Sequence, residues 1–476
     1  MTETETNAYD VVVLGAGPVG ENVADRTRAA GLTTAVAESE LVGGECSYWA
    51  CMPSKALLRP VIARADARRV PGLRQSVQGP LDASAVLAHR DYYTSNWKDD
   101  GQVGWLDSIG ADLHRGHGRL TGPRTVTVTG PDGGERVLTA RHAVAVCTGS
   151  RAALPGLPGL DAVKPWTSRE ATSAKAAPGR LIVIGGGVVA TEMATVWQAL
   201  GSRVTLLVRG KGLLPRMEPF AGELIAEALT EAGADVRTGT SVESVTRENG
   251  TVVAVTGTGE RIEADEILFA TGRAPRTDDI GLESIGLDPG SWLPVDDSLR
   301  VTGHDWLYAV GDVNHRALLT HQGKYQARIA GAAIAARATG ESLLAEPWGA
   351  HAATADHTAV PQVVFTDPEA AAVGLSLAEA EEAGHRVKAV DVDLSTVSGA
   401  GLYADGYQGR ARMVVDIEDE ILRGVTFVGP GVGELIHSAT IAVAGQVPVS
   451  RLWHAVPSYP TISEVWLRLL EAYRDA

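Results

Sequence analysis

Cys46 and Cys51 stand with four residues between them in Gly43-Gly44-Glu45-Cys46-Ser47-Tyr48-Trp49-Ala50-Cys51-Met52-Pro53-Ser54-Lys55, and they are two of only three cysteines in 476 residues. A disulfide between such near neighbours closes a tiny loop and removes little entropy from the unfolded chain, so as a staple it is weak. In reducing compartments, disulfides are usually catalytic or redox-sensing. The pair therefore reads as an electron-carrying dithiol. Two plainer readings stay open: two packed thiols, or half of a soft-metal site. Structural zinc normally takes four Cys or His ligands, and neither a second Cys pair nor a close His pair is present, so no metal is expected.

A dithiol needs an electron source, and the preceding residues suit one. Tyr9-Asp10-Val-Val-Val-Leu-Gly15-Ala-Gly17-Pro-Val-Gly20 is a β-branched apolar run leading into Gly-x-Gly-x-x-Gly. A helical stretch to Gly31 and a second apolar run ending at Glu38 follow. This is the strand, glycine turn, helix, strand, acid order of a dinucleotide-binding unit. Gly15 permits the tight turn, Gly17 lets backbone amides approach a pyrophosphate, and Gly20 allows close helix–strand packing. The helix N-terminus offers free N–H groups and partial positive charge to phosphates. Glu38 suits ribose hydroxyls.

The pattern recurs. Leu181-Ile-Val-Ile-Gly185-Gly186-Gly187-Val-Val-Ala190 carries Gly-x-Gly-x-x-Ala, and the position equivalent to Glu38 is Val208, followed by Arg209, Lys211 and Arg216. A carboxylate there favours a free ribose 2′-hydroxyl and repels a 2′-phosphate, whereas arginine does the reverse. The first unit is expected to hold a dinucleotide without the extra phosphate, and the second to prefer NADPH, with NADH possible. The plain alternative for the three cations is solvated charge flanking a strand.

Together these residues resemble the pyridine nucleotide–disulfide oxidoreductases, the flavoprotein family of lipoamide dehydrogenase, glutathione reductase and mercuric reductase. The likeness runs from Tyr9 to the end of the chain. Besides the two fingerprints and the Gly43–Lys55 segment, it includes Cys147-Thr148-Gly149, Ala270-Thr271-Gly272-Arg273, Tyr308-Ala-Val-Gly311-Asp312, Phe365-Thr-Asp-Pro368 and Tyr459-Pro-Thr-Ile-Ser-Glu464. The resemblance implies FAD on the first unit, held by Gly15, Gly17, Gly20, Glu38, Gly44, Lys55, Thr148, Gly149, Gly311 and Asp312. It implies the nicotinamide coenzyme on Gly185, Gly187, Ala190, Arg209, Lys211, Arg216 and Gly272. Cys51 takes the place of the flavin-proximal thiol and Cys46 that of the interchange thiol facing substrate. Lys55 and Glu192 match an ion pair beside the flavin ring. Cys147 reads as a packed strand residue.

The implied fold class is α/β: two Rossmann-like domains, for FAD and NAD(P), plus a C-terminal α+β dimerisation domain that makes a homodimer. Boundaries fall where Gly and Pro gather. Residues 1–150 and 276–350 form the FAD domain, 151–275 the NAD(P) domain and 351–476 the interface domain. Composition agrees, since 476 residues that are 45% hydrophobic support several cores. A formal charge of −16 argues against nucleic acid as a partner. Charges interrupt every apolar stretch before membrane-spanning length. The polar opening Met1–Ala8 is unlike a signal or transit peptide, so a cytoplasmic protein is expected.

The informative departure is Tyr459. Disulfide-reducing relatives carry histidine there, contributed by the partner subunit as acid–base catalyst and oriented by the glutamate matching Glu464. A phenol with pKa near 10 is a poor base at neutral pH. His454, five residues upstream, is either a substitute or a surface histidine. Tyr48 and Trp49 replace small residues between the cysteines and either shape the acceptor side or pack the helix. Mercuric reductases need a further cysteine pair near the C-terminus, and no cysteine follows Cys147. Soluble transhydrogenases share the Tyr-Pro-Thr ending but lack the second redox cysteine.

The reading is an FAD-dependent enzyme passing electrons from NADPH through a Cys46–Cys51 dithiol to a small acceptor: an activated disulfide, a quinone or a metal ion. The alternative is an NAD-linked dihydrolipoamide dehydrogenase. Lesser alternatives are mercuric reductase-like or transhydrogenase-like activity, or a non-enzymatic soft-metal-binding flavoprotein.

Overall fold

In a computed structural model, which describes residues 6–475, the chain forms two compact units, each assembled from separated segments. Five opening residues of the polar segment Met1–Ala8, and Ala476, lie outside the described residues. The first unit comprises Met1–Pro53, Asp91–Ala153 and Gly272–His357; the second comprises Ser54–Arg90, Leu154–Thr271 and Thr358–Ala476.

The first unit is built on a seven-stranded sheet. Its parallel part runs Asp112–Arg115, Thr34–Glu38, Thr6–Leu14 and Glu135–Val146, with Leu307–Ala309 paired to the second half of that last strand. On its other edge the first half of Glu135–Val146 pairs antiparallel with Thr125–Thr129, which pairs with His117–Gly122. Val11, Val12 and Val13 are 0% exposed, as a strand covered on both faces requires. Each such side chain contributes about 1.5–3 kcal/mol on burial. Helix Pro18–Ala29 starts at the glycine turn with proline in its first turn, where a missing N–H costs nothing.

The second unit holds a four-stranded parallel sheet in the order Asp235–Thr238, Arg203–Val208, Arg180–Ile184, Glu266–Phe269. It also holds a three-stranded antiparallel sheet, Val242–Glu248, Thr251–Thr256 and Arg261–Ala264. The C-terminal segment contributes five antiparallel strands in the order Pro361–Val364, Glu369–Gly374, Ile421–Gly429, Arg410–Asp416, Val387–Asp393. The architecture is therefore α/β, with two Rossmann-like parallel sheets and an antiparallel α+β segment.

Ser54–Arg90, which the sequence pattern leaves with the first dinucleotide unit, packs within the second. Leu57, Leu58, Val86 and Leu87 join one buried cluster with Met193, Trp197 and Val428. Their apolar faces carry no fingerprint, so only packing reveals where they belong.

Candidate functional site

The first glycine turn is sterically specified. Gly15 sits at φ +93°, and a Cβ there would lie 2.7 Å from the Cys147 carbonyl oxygen. A Cβ on Gly20 would come within 1.9 Å of the Gly15 oxygen, so helix and strand meet only through glycine. Gly17 faces open space, while the loop carrying Gly44 passes so close that a Gly44 Cβ would lie 2.9 Å from the Gly17 Cα. Glu38 is buried, and its carboxylate accepts from the Ala16 and Glu40 amides at 2.7 Å each. Burial raises its carboxyl above the usual range, against those bonds.

At the far ends of the neighbouring strands, Thr148 Oγ1 is buried with no hydrogen-bond partner, and Gly149 follows in the left-handed region at φ +71°. Asp312 accepts from the Ser150 hydroxyl and lies 3.8 Å from the Arg273 guanidinium; burial raises its carboxyl, and both neighbours oppose that. The Gly311 N–H donates to Gln326 Oε1 at 2.8 Å. An orphaned hydroxyl, an open glycine turn at a helix N-terminus and two carboxylates with spare acceptor capacity fit FAD.

The thiols belong to the same unit. Cys46 lies in the short helix Gly44–Tyr48, and Cys51 heads the 19-residue helix Cys51–Arg69. The Cys46 thiol is hydrogen-bonded to Cys51, which together with burial pushes its ionisation far above the ordinary thiol value; Thr320 and Lys324 oppose the shift. Cys51 Sγ lies 3.3 Å from Thr320 Oγ1, which begins helix Thr320–Thr339. A helix N-terminus favours negative charge on sulfur, so the head position of Cys51 suits a thiolate while Cys46 keeps its proton. Tyr48 is 1% exposed and bonds through its hydroxyl to Gln102, and to the Lys98 carbonyl at 3.3 Å. It takes the packing alternative.

Sequence reasoning missed Thr320, Lys324 and Glu21. The first two carry no local motif and are brought in by tertiary packing; Glu21 was visible as the residue after the fingerprint. It sits in the first turn of Pro18–Ala29, and its Oε1 is buried without a hydrogen-bond partner. Burial pushes its carboxyl up to about 7 from 4.5, with Lys324 opposing and Glu38 adding to the rise. The fold thus holds this proton more tightly than the unfolded chain does. Stability present below pH 4.5 is lost as the pH rises through 7. Glu21→Gln is expected to stabilise the apoprotein by about 2–3 kcal/mol at pH 8 and to change little near pH 4.5. Thermal unfolding at the two pH values measures this; equal effects would remove the account.

In the second unit, Lys55 Nζ contacts both Glu192 oxygens at 2.7 and 2.9 Å. Glu192 is 3% exposed and also accepts from the Phe365 amide at 3.0 Å. Gly185 and Gly187 form the second turn, with Ala190 buried in the helix Val188–Ala199 that follows. Arg209, Lys211 and Arg216 follow strand Arg203–Val208, are exposed, and have neither an ion pair nor a hydrogen bond among the described residues. Gly272, expected with the nicotinamide residues, lies in the first unit, where its carbonyl accepts from the Ala153 amide at 2.9 Å.

Tyr459 is 75% exposed, and His454 is exposed too. Glu464 is buried, with Oε2 lacking a hydrogen-bond partner. Among the described residues there is no His, Cys, Asp or Glu cluster able to hold a metal ion, and no helix long and apolar enough to cross a membrane.

Comparison with known proteins matches these features. The family model of the pyridine nucleotide-disulphide oxidoreductases covers residues 9–338, and the model of that family's dimerisation domain covers residues 360–470. Dihydrolipoyl dehydrogenase of Thermus scotoductus is 34% identical over 98% of this chain and 97% of its own. Mercuric reductase of Staphylococcus aureus is 32% identical over 96% of this chain and 81% of its own. The HOCl-induced flavoprotein disulfide reductase RclA of Escherichia coli shares the fold at TM-score 0.83 and 23% identity, over 97% of this chain and 99% of that one. LpdA of Mycobacterium tuberculosis does so at TM-score 0.82 and 24% identity, over 98% and 99%. The chain belongs to the pyridine nucleotide–disulphide oxidoreductases, FAD-dependent enzymes that use a nicotinamide dinucleotide.

Proposed function

We propose that this enzyme oxidises NADPH and delivers the electrons through Cys46 and Cys51 to a small acceptor that needs no histidine-assisted protonation. The observation that carries the reading is the thiol pair itself: Cys46 hydrogen-bonded to Cys51, with Cys51 Sγ 3.3 Å from Thr320 Oγ1 at a helix head. FAD, when bound, supplies the two-electron exchange between nicotinamide and sulfur. Gly15, Gly17, Gly20, Glu38, Gly44, Thr148, Gly149, Gly311 and Asp312 hold it, and the Lys55–Glu192 pair tunes its electron affinity. Two electrons and two protons convert the Cys46–Cys51 disulfide into a dithiol. As the S–S bond re-forms the acceptor takes the two electrons, and the two protons go to a disulfide or quinone acceptor or, where the acceptor is a metal ion, to solvent. Cys46 attacks the acceptor while Cys51 remains at the helix head.

NADPH preference follows from Arg209, Lys211 and Arg216. Three exposed cations that have no ion pair among the described residues, beside the second fingerprint, suit a 2′-phosphate. Gly185, Gly187 and Ala190 form the coenzyme turn. A homodimer in the cytoplasm completes the reading: Leu402, Ile441, Val456 and Tyr459, in the C-terminal segment, are 73%, 58%, 85% and 75% exposed and suit burial by a second copy.

The acceptor class is an activated disulfide, a quinone or a metal ion. The mercuric reductase relatives favour the last, although the chain has no cysteine after Cys147. The 34% identity to a dihydrolipoyl dehydrogenase favours a second reading, NAD-linked oxidation of a dithiol, against which Tyr459 stands. Anaerobic titration separates the two. NADPH should expose two titratable thiols per chain and produce long-wavelength thiolate–flavin absorption, with NADH much slower. Arg209→Ala should lower the NADPH preference by about 10- to 100-fold, the worth of a charged hydrogen bond. Absence of the band removes the dithiol route, and an unchanged preference removes the coenzyme assignment.

A further inference from the structure

The first unit contains a buried polar relay that ends beside both Asp312 and Cys51. Gln326 is 0% exposed, and its Oε1 accepts from the Gly311 N–H and from Asn314 Nδ2, both at 2.8 Å. Its Nε2 donates to Asp356 Oδ2 at 2.9 Å. One turn earlier on the same helix, buried Gln322 donates from Nε2 to Asp356 Oδ1 at 2.6 Å. The Asp356 side chain is itself 0% exposed, with Arg316 Nη1 3.6 Å away. The helix begins at Thr320, the partner of Cys51.

The chemistry of this relay is directional. A carboxylate only accepts, so it obliges both glutamines to present their NH2 groups. Gln326 must then turn its oxygen to Gly311, whose N–H only donates. The Gly311 N–H and the Asn314 amide, which also donates to the Ala309 carbonyl at 3.0 Å, require the same orientation of Gln326 from the other end, so the relay is satisfied only when the Asp356 end accepts. Each bond lies in a dry interior, where a reversed amide leaves donors facing donors at full desolvation cost.

We propose that Asp356 is a positioning residue: through Gln326 and Gln322 it sets the hydrogen-bond polarity that holds the Gly311–Asp312 turn and the Thr320 end of the helix in place for FAD and Cys51. This rests on the assignment of Asp312 and Cys51 to the flavin site. In Asp356→Asn the shape is kept, but one amide N–H2 now confronts a glutamine N–H2. A glutamine must turn over, and if it is Gln326 the Gly311 bond is lost.

Binding of FAD to the apoprotein, followed by flavin fluorescence quenching, tests the proposal. Asp356→Asn should weaken FAD binding about tenfold or more. Adding Gln326→Glu should bring it back to within about threefold of wild type, because the new carboxylate accepts from Gly311, Asn314 and the new amide together. A merely bulk-filling role predicts no such rescue. Unchanged affinity in Asp356→Asn, or no recovery in the double variant, overturns the proposal. If the single variant does not fold, the double variant decides alone: wild-type-like affinity supports the relay and loss overturns it. Asp312→Ala, measured alongside, separates the two levels. If it weakens FAD binding while Asp356→Asn does not, only the relay fails; if it too has no effect, the site assignment fails and takes the proposal with it.

Discussion

Replacing Tyr459 by histidine is expected to raise the rate of small-disulfide reduction by about 10²–10⁴-fold, the range over which a well-matched general acid–base acts. A phenol near pKa 10 holds its proton at neutral pH, whereas an imidazole near 6.5 exchanges it. The substitution disturbs little packing, since Tyr459 is 75% exposed. Glu464, five residues on, retains a buried carboxylate oxygen with no hydrogen-bond partner, the acceptor that an imidazole N–H requires. Steady-state NADPH oxidation with a small disulfide measures the gain, which should follow a single ionisation near pH 6.5. No gain would show that something other than a missing imidazole limits these substrates. Tyr459→Phe gives the complementary arm: little change is expected, and a large loss would make the phenol itself the acid.

Serine at either redox position should reduce turnover with the acceptor by roughly 10⁴–10⁶-fold, the scale on which removal of a covalent nucleophile acts. The two variants should differ spectroscopically. Cys46→Ser leaves Cys51 at the helix head beside Thr320, so long-wavelength thiolate–flavin absorption should be present without added reductant. Cys51→Ser removes the sulfur at that position and should lack the band at every redox state. FAD content should stay the same in both. If Cys51→Ser keeps the band, the flavin-side thiol has been misassigned; if both variants turn over normally, electrons reach the acceptor without sulfur.

Much of the site was legible in the chain because its parts are local. The turns at Gly15 and Gly185 each follow a strand and open a helix within a few residues, so backbone constraints leave a readable mark. The Cys46–Cys51 spacing and the Lys55 that follows lie on two consecutive helices. Tyr48 shows the limit of local reading, since its two alternatives differ only in what lies opposite, and Gln102 and Lys98 occupy that place. Gly272 is a second example: its motif lies near the end of the second fingerprint's segment, yet its backbone pairs with Ala153 in the first unit.

The sequence by itself determined the family, the α/β class, two dinucleotide turns and a redox-suited thiol pair, because each depends on short-range geometry that residue type dictates. Only the tertiary structure decided that Thr320 meets Cys51 from 269 positions away, that Ser54–Arg90 packs with the second unit, and that Asp356 anchors two glutamines behind Asp312. Those pairings join segments whose own patterns are ordinary helices and turns. They exist because close packing of distant apolar faces carries particular polar groups into a dry interior, where each must find a partner of the right polarity.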